Sequence, residues 1–335
     1  MSVMEWNTGD QPAEPGFLAG ALWVGTLSYE ERCLGSLYSL HRLGIVPEFG
    51  VVLRYSTTND EENVCGDRID VNAAIIERMA PMAFGRFLGT VSVSMYSTLS
   101  LENAILSLVS ESKATCVLFD MTCMTKLHAI ALAGFLASGK LANWKIAYTQ
   151  PDNYGSLDDR EVNKWADVLI APVTIGSSFG SEEASRGVII AGFEVHRIMV
   201  ALGEVEPPAG LILVGKTPGR PDQLKLSMRR HVHLIDRLTK RSRDRWKVVS
   251  PDIFDFAEVF TLIDQEVAIA AKDDAPILLF PFGPKPLVFG SCFRLVEKSD
   301  NAAWFLYTVP ANHDLEYSEG VAKTTWFGPP LIDLR

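Results

Sequence analysis

Hydrophobic residues in this chain fall into short continuous runs separated by longer periodic stretches. Phe17–Thr26 (FLAGALWVGT), Phe49–Tyr55, Thr90–Tyr96, Cys116–Asp120 (CVLFD) and Trp144–Tyr148 (WKIAY) are such runs. Short apolar runs bounded by turn residues predict buried strands. Between them, Tyr29–Leu43, Val71–Met79, Leu101–Ser110 and the apolar stretch from Leu127 predict helices, while polar Ser56–Asp67 predicts a loop. Ser28-Tyr-Glu-Glu31 matches a capping box, Gly44 suits the end of the first helix, and Ser100 suits the cap of the third. Ala166–Pro172 is one more strand of this round, and Ile175–Arg186 reads as a connector.

A second round begins at Gly187. Val188–Phe193, Gly210–Gly215, Lys247–Val249, Pro276–Phe282 and Trp304–Tyr307 are strand-like. Helices are predicted from about Gln223, over Phe254–Ala271 after the start signal Ser250-Pro251, and over Leu287–Val296. Glu194–Gly203 has no decisive period, and Thr308–Tyr317 reads as the last loop. Asp120…Lys126, an apolar helix, Trp144–Tyr148 and Thr149-x-Pro151 recur as Phe282…Lys285, an apolar helix, Trp304–Tyr307 and Thr308-x-Pro310. Strands alternating with helices, repeated once, give an α/β fold class: two fused Rossmann-like units with mainly parallel sheets flanked by helices. The expected boundaries are a flexible tail at 1–16, a first unit at 17–174, a connector at 175–186 and a second unit at 187–335.

Composition narrows the function classes. A chain of 335 residues, 47% of them hydrophobic, can bury one large core or two ordinary ones, and two domains of about 150 residues each is the natural expectation. No run approaches the length of a membrane span, and the acidic, proline-containing start does not read as a signal peptide. The five scattered cysteines, none at CxxC spacing, fit reduced thiols in cytoplasm and give no support for a metal site. A net charge of −10 argues against nonspecific nucleic-acid binding. The basic run Arg229–Lys247 reads by default as a solvated helix face, and alternatively as a phosphate-facing or partner-facing surface.

Candidate chemistry concentrates where strands end. Open α/β sheets bind ligands at the carboxyl ends of their strands. There Thr122, Thr125 and Lys126 put two hydroxyls and a cation at a helix start, a combination suited to an anion. Thr26, Ser28 and Arg32 follow the first strand, and Arg32 could reach a phosphate. Lys216, Thr217, Gly283 and Lys285 occupy the corresponding loops of the second round. Solvated lysines and an ordinary helix cap explain the same residues without a ligand. Tyr148, Tyr154, Tyr307 and Tyr317 could stack on a base, although strand tyrosines more often pack in a core. No glycine-rich phosphate loop is present. Cys123 and His128 have no third member to make a catalytic set, and no cofactor motif is found.

Asp120-Met-Thr-Cys-Met-Thr-Lys126 resembles the Asp-x-Thr-Gly-Gly-Thr-Lys turn of CRISPR-associated Rossmann-fold (CARF) domains, with Cys123-Met124 in place of the glycine pair. Leu278–Lys285 followed by Phe289-Gly290 is similar to the strand–Pro–helix–Leu-Gly pattern of SAVED domains, which are CARF-like pairs used in antiphage defence. The resemblance implies a nucleotide-type signal, cyclic oligonucleotides included, held between two Rossmann-like halves. It implies ligand contacts from Thr26–Ser28, Thr122, Thr125 and Lys126, with Gly283 and Lys285 as their partners. The expectation is a non-catalytic cytoplasmic sensor or regulatory subunit that acts through a separate effector chain. The alternatives are a scaffold that has lost its ligand and a nucleotide-processing enzyme.

Overall fold

A computed structural model of the chain describes residues 6–13, 18, 20–56, 59–154, 165–172, 185–241, 245–298, 303–310 and 318–331. It divides into two compact units, Met1–His128 with Gly139–Asp158 and Asp314–Arg335, and Ala129–Ser138 with Asp159–His313. The α/β class read from the pattern is what is found: two mainly parallel sheets, each flanked by helices.

In chain order the first elements are β1 (Asn7–Gly9), β2 (Ala21–Thr26), α1 (Gly35–Arg42), β3 (Phe49–Ser56), α2 (Asn59–Ala83), β4 (Arg86–Ser94), α3 (Thr98–Ser112), β5 (Cys116–Asp120), α4 (Lys126–Ala137), β6 (Trp144–Thr149) and β7 (Asn153–Tyr154), all in the first unit except α4 from Ala129 onward. β2, β5 and β6 are buried along their whole length, as continuous apolar runs require when helices cover both faces. On the α1 face, Trp23 is fully buried and donates to Ser36 Oγ at 3.0 Å, amid Leu37, Leu40, Val52, Phe84 and Leu118.

Next come β8 (Trp165–Pro172), β9 (Arg186–Ala191), α5 (Val195–Glu204), β10 (Ala209–Val214), α6 (Pro221–Arg241), β11 (Trp246–Val249), α7 (Phe256–Lys272), β12 (Ile277–Pro281), α8 (Lys285–Lys298), β13 (Ala303–Pro310), β14 (Ser318–Glu319) and β15 (Thr324–Gly328). β9, β10 and β12 form the apolar centre of the second sheet.

The strand orders are β1-β15-β6-β5-β2-β3-β4 and β11-β10-β9-β12-β13-β8. β4-β3-β2-β5-β6-β15 matches β11-β10-β9-β12-β13-β8 strand for strand, with four parallel pairings followed by one antiparallel. The last strand of each series comes from elsewhere in the chain. β8 follows the first round yet pairs with β13, and β15 follows the second round yet pairs with β6. The units are therefore interleaved, and the expected limits at 174 and 187 cut across them. Burial lowers the Lys145 ammonium of β6 to about 8, and this ammonium donates to Gly328 O at 3.1 Å, tying down the returning strand.

Several local expectations need correction. Asn7–Gly9 of the expected tail is strand β1, paired antiparallel with β15, and Trp6 packs edge-on against Trp144 at 5.3 Å. The expected loop at 56–67 is helical from Asn59. Ser28 opens no regular α-helix: its Oγ accepts from Glu30 N–H at 3.3 Å, and a 3-10 turn at Glu31–Leu34 leads into α1. Gly44 does end that helix, at φ +66°. Ser97 rather than Ser100 caps α3 by accepting from Ser100 N–H, while Ser100 Oγ accepts from Ser94 N–H. Asp255 rather than Ser250 caps α7, because Lys216 and Asp252 bridge and hold the Ser250-Pro251 segment extended. The segment at 194–203 is helix α5.

Candidate functional site

In each sheet the strand order reverses once, and reversal points are where open α/β sheets take ligands. In the first unit the reversal lies between β2 and β5, so it is framed by the loops Leu27–Glu30 and Met121–Thr125. In the second unit it lies between β9 and β12, framed by Gly192–Glu194 and Phe282–Pro284. Lys216 and Thr217 follow β10, one strand away from that point. The topological counterpart of Thr26–Ser28 is instead the segment after β9, which the sequence reading passed over.

Around the first reversal point most polar groups serve the fold. Thr122 is buried: its N–H donates to Asp120 Oδ1 at 2.9 Å, and its Oγ1 accepts from Thr149 N–H at 2.9 Å. Thr125 Oγ1 accepts from His128 N–H at 3.1 Å, which caps α4. Thr125 N–H donates to the Tyr55 hydroxyl at 3.2 Å, and this hydroxyl lies 2.9 Å from His128 Nδ1. Thr26 is buried with its Oγ1 unpartnered among the described residues. Burial pushes the Asp120 carboxyl up, against hydrogen bonds from Ser36 and Thr122 that favour its charged form. Ser28, Tyr29, Glu30, Cys123, Thr125 and Lys126 are the partly open residues here.

Arg32 does not reach outward. It is 4% exposed; its Nε donates to Glu30 Oε2 at 3.1 Å, and its Nη1 donates to Thr149 O at 3.3 Å. Burial alone would lower the guanidinium pKa; Glu30, with smaller contributions from Tyr148, Cys123 and Tyr154, outweighs it and holds the group firmly charged. Two hydrogen bonds from Asn72 Nδ2, to Ser28 O at 2.8 Å and Glu30 O at 3.4 Å, hold the loop from the α2 side.

The second unit repeats this clamp with residues that sequence reasoning missed. Arg197, 6% exposed, donates to Glu194 Oε2 at 2.7 Å, to Thr308 Oγ1 at 2.8 Å and to Thr308 O. Its guanidinium sits 5.0 Å from the Tyr307 ring centre and 5.5 Å from that of Phe282. Burial opposes its charge, and Tyr307 and Glu194 outweigh the burial. The α6 helix holds this loop as α2 holds the other: Ser227 Oγ donates to Gly192 O at 3.3 Å, and Arg230 donates to Phe193 O at 3.4 Å. Thr149 and Thr308 are the echoed Tyr-Thr-x-Pro threonines, so the repeat was legible in its threonines but not in the arginines that grip them. Gly192 and Gly283 allow close backbone approach: a Cβ on Gly192 would lie 2.1 Å from Phe282 O, and one on Gly283 would lie 3.0 Å from Ala191 O. Lys126 and Lys285 are the first residues of α4 and α8 and are partly open.

Buried His128 gives the site a pH dependence. Burial lowers its pKa to about 4, against an upward pull from the Ser97 and Ser94 backbone. A histidine held below its unfolded value contributes stability that is complete above about pH 6.5 and is lost as pH falls toward 4. The expected loss from this group by pH 5 is about 2 kcal/mol. Asp120, held up by burial, acts in the opposite direction. Urea midpoints at pH 7.5 and pH 5 should therefore fall less in His128→Gln than in the parent, and equal falls would contradict the assignment.

Burial pushes the thiols of Cys33, Cys116 and Cys292 up to about 12, which makes them inert packing groups. No described helix is long and apolar enough to cross a membrane.

No protein-family model matches the chain, and no curated protein matches it in sequence. Among solved structures, it is similar to a type III CRISPR defence DNA nuclease activated by cyclic oligoadenylate, with a TM-score of 0.54 and 9% identity, over 90% of this chain and 68% of that one. It also aligns with a universal stress protein from Archaeoglobus fulgidus DSM 4304, at TM-score 0.24 and 10% identity over 88% of this chain and 99% of that one. A UDP-GlcNAc 2-epimerase from Neisseria meningitidis bound to UDP-GlcNAc aligns at TM-score 0.25 and 10% identity, over 83% and 91% of the two chains. At these identities the first likeness concerns the fold, and the scores of the other two carry no argument.

Proposed function

We propose that this chain is a sensor of a nucleotide-type signal, with cyclic oligonucleotides as the leading class, and that it acts in defence through a separate effector protein. The observation that carries this reading is the repetition of one strand-end arrangement in both units. Each reversal point has a loop held by a buried Arg–Glu–Thr clamp and faces a helix that begins with lysine, Lys126 or Lys285. A lysine in the first turn of a helix, at the positive end of its dipole, suits a phosphate, and the partly open loop residues suit the sugar or base. Ser28 and Glu30 fill the loop position in the first unit, and Phe193 and Glu194 fill it in the second. The likeness in fold to a nuclease activated by cyclic oligoadenylate supports the choice of ligand class.

Within this reading Thr122, Thr125 and Arg32 shape the site, and Lys126, Lys285, Ser28 and Thr26 remain the proposed contacts. The test is calorimetry against linear and cyclic adenine oligonucleotides. One member should bind, and Lys126→Ala should weaken it about tenfold or more, as expected for a hydrogen bond to a charged group. Folded protein that binds no member would overturn the proposal. That outcome would favour a scaffold without a ligand, a reading supported by the internal use of both Thr122 and Thr125.

A further inference from the structure

Beyond the end of β6 the chain stays paired with the returning segment. Thr149 Oγ1 meets Thr324 Oγ1 at 2.8 Å, Gln150 N–H donates to Lys323 O at 3.0 Å, and Ala322 N–H donates to Gln150 O at 2.9 Å. Further out, Asn153-Tyr154 of β7 pairs antiparallel with Ser318-Glu319 of β14. A two-stranded ribbon thus extends from the carboxyl edge of the first sheet, on the side where the Leu27–Glu30 loop sits. Ribbon and loop are joined by one carboxylate oxygen. Glu30 Oε2 accepts from Arg32 Nε and Nη2 and also from Ser318 Oγ. Tyr154, on the same ribbon, lies close enough to Arg32 to influence its charge.

We infer that Glu30 is a positioning residue that couples the first-strand loop to the returning ribbon, so that occupancy at the loop is read out in Ser318–Gly328. This inference rests on the proposed site as the place where a signal enters, whereas the coupling itself needs no ligand. One oxygen with a cation on one side and a hydroxyl on the other cannot move without disturbing both. The ribbon leads directly into β15, which is hydrogen-bonded on both sides within the sheet, so displacement of the loop is passed to an interior strand. The partly open ribbon residues Ser318–Lys323 are the surface on this path that a separate effector could meet.

The test is amide hydrogen exchange on the full chain without ligand, comparing the parent, Ser318→Ala and Ser318→Thr. Ser318→Ala removes only the ribbon side of the contact and leaves the Arg32–Glu30 pair in place. Exchange in Leu27–Glu31 should rise about fivefold, as expected for loss of one hydrogen bond, and Ser318→Thr should restore it. A rise confined to Ser318–Ala322 would overturn the coupling, as would a rise in Leu27–Glu31 that threonine does not reverse. A second arm measures cyclic tetraadenylate by calorimetry. If the parent binds it, Ser318→Ala should alter affinity although residue 318 is not a proposed contact, and unchanged affinity would overturn the readout. If the parent binds no adenine oligonucleotide, the proposed ligand fails, and the exchange result alone decides the coupling.

Discussion

A chain ended after Gly320 is expected to lose the fold of its first unit while the second stays folded. The truncation removes β15, which lies between β6 and β1 and is buried along its whole length. Trp326 and Phe327 leave the core, Lys145 loses the carbonyl it donates to, and Thr149 loses its hydroxyl partner. Emptying one large aromatic site already costs about 3–5 kcal/mol, and a domain has only about 5–15 kcal/mol in total. Removing two such residues together with a strand's backbone pairing exceeds that margin. Hydrogen exchange mapped by peptide should show β2, β5 and β6 unprotected and β9, β10 and β12 still protected. Continued protection of β5 and β6 would show that the first sheet is complete without its returning strand.

Replacing Glu30 with alanine is expected to destabilise the first unit by about 3–5 kcal/mol, the range for removing one partner of a buried ion pair. The Arg32 side chain is 4% exposed and Glu30 13%, so the arginine left behind is a buried cation that has lost its carboxylate partner. The double variant Glu30→Ala/Arg32→Met should regain part of this loss, because it removes the buried charge along with its partner. Arg32→Lys should not substitute for the parent, since an ammonium lacks the fork that serves Glu30 and Thr149 O together. Denaturant midpoints of the three variants give the comparison. A Glu30→Ala protein within about 1 kcal/mol of the parent would place Arg32 in contact with water.

What the sequence showed well was local. Cys116–Asp120 and the helix after it were legible because a buried parallel strand is an unbroken apolar run and its helix starts at a polar turn. The strand exchange was not legible. Ala166–Pro172 has the same pattern whichever sheet it joins, and hydrophobic period says nothing about which edge a strand will meet. Thr324–Gly328 gives no strand signal of its own, five residues between a polar stretch of sequence and the Pro329-Pro330 pair. The arginine clamps were hidden for a related reason. Arg32 and Thr149 are 117 residues apart and Arg197 and Thr308 are 111 apart, so each half of a clamp reads locally as a surface cation or a strand threonine. The Ser28 and Ser250-Pro251 signals misled because both sit in segments already engaged elsewhere, one in the loop that Asn72 holds ahead of a 3-10 turn and one beside the bridge between Asp252 and Lys216.

The exchanged strands also set the order in which the molecule can be finished during synthesis. Thr149 and Thr324, which meet through their hydroxyls, are 175 residues apart. At roughly 5–20 residues per second, a ribosome makes β6 about ten to thirty seconds before it makes the strand that covers it. Through that interval the nascent first sheet presents the bare edge of β6, a template for pairing with any other extended chain. The second sheet has no such wait, since β8 is made before β13. The first unit, although translated first, is the last to close, and its exposed edge is where chaperone dependence and misassembly should concentrate.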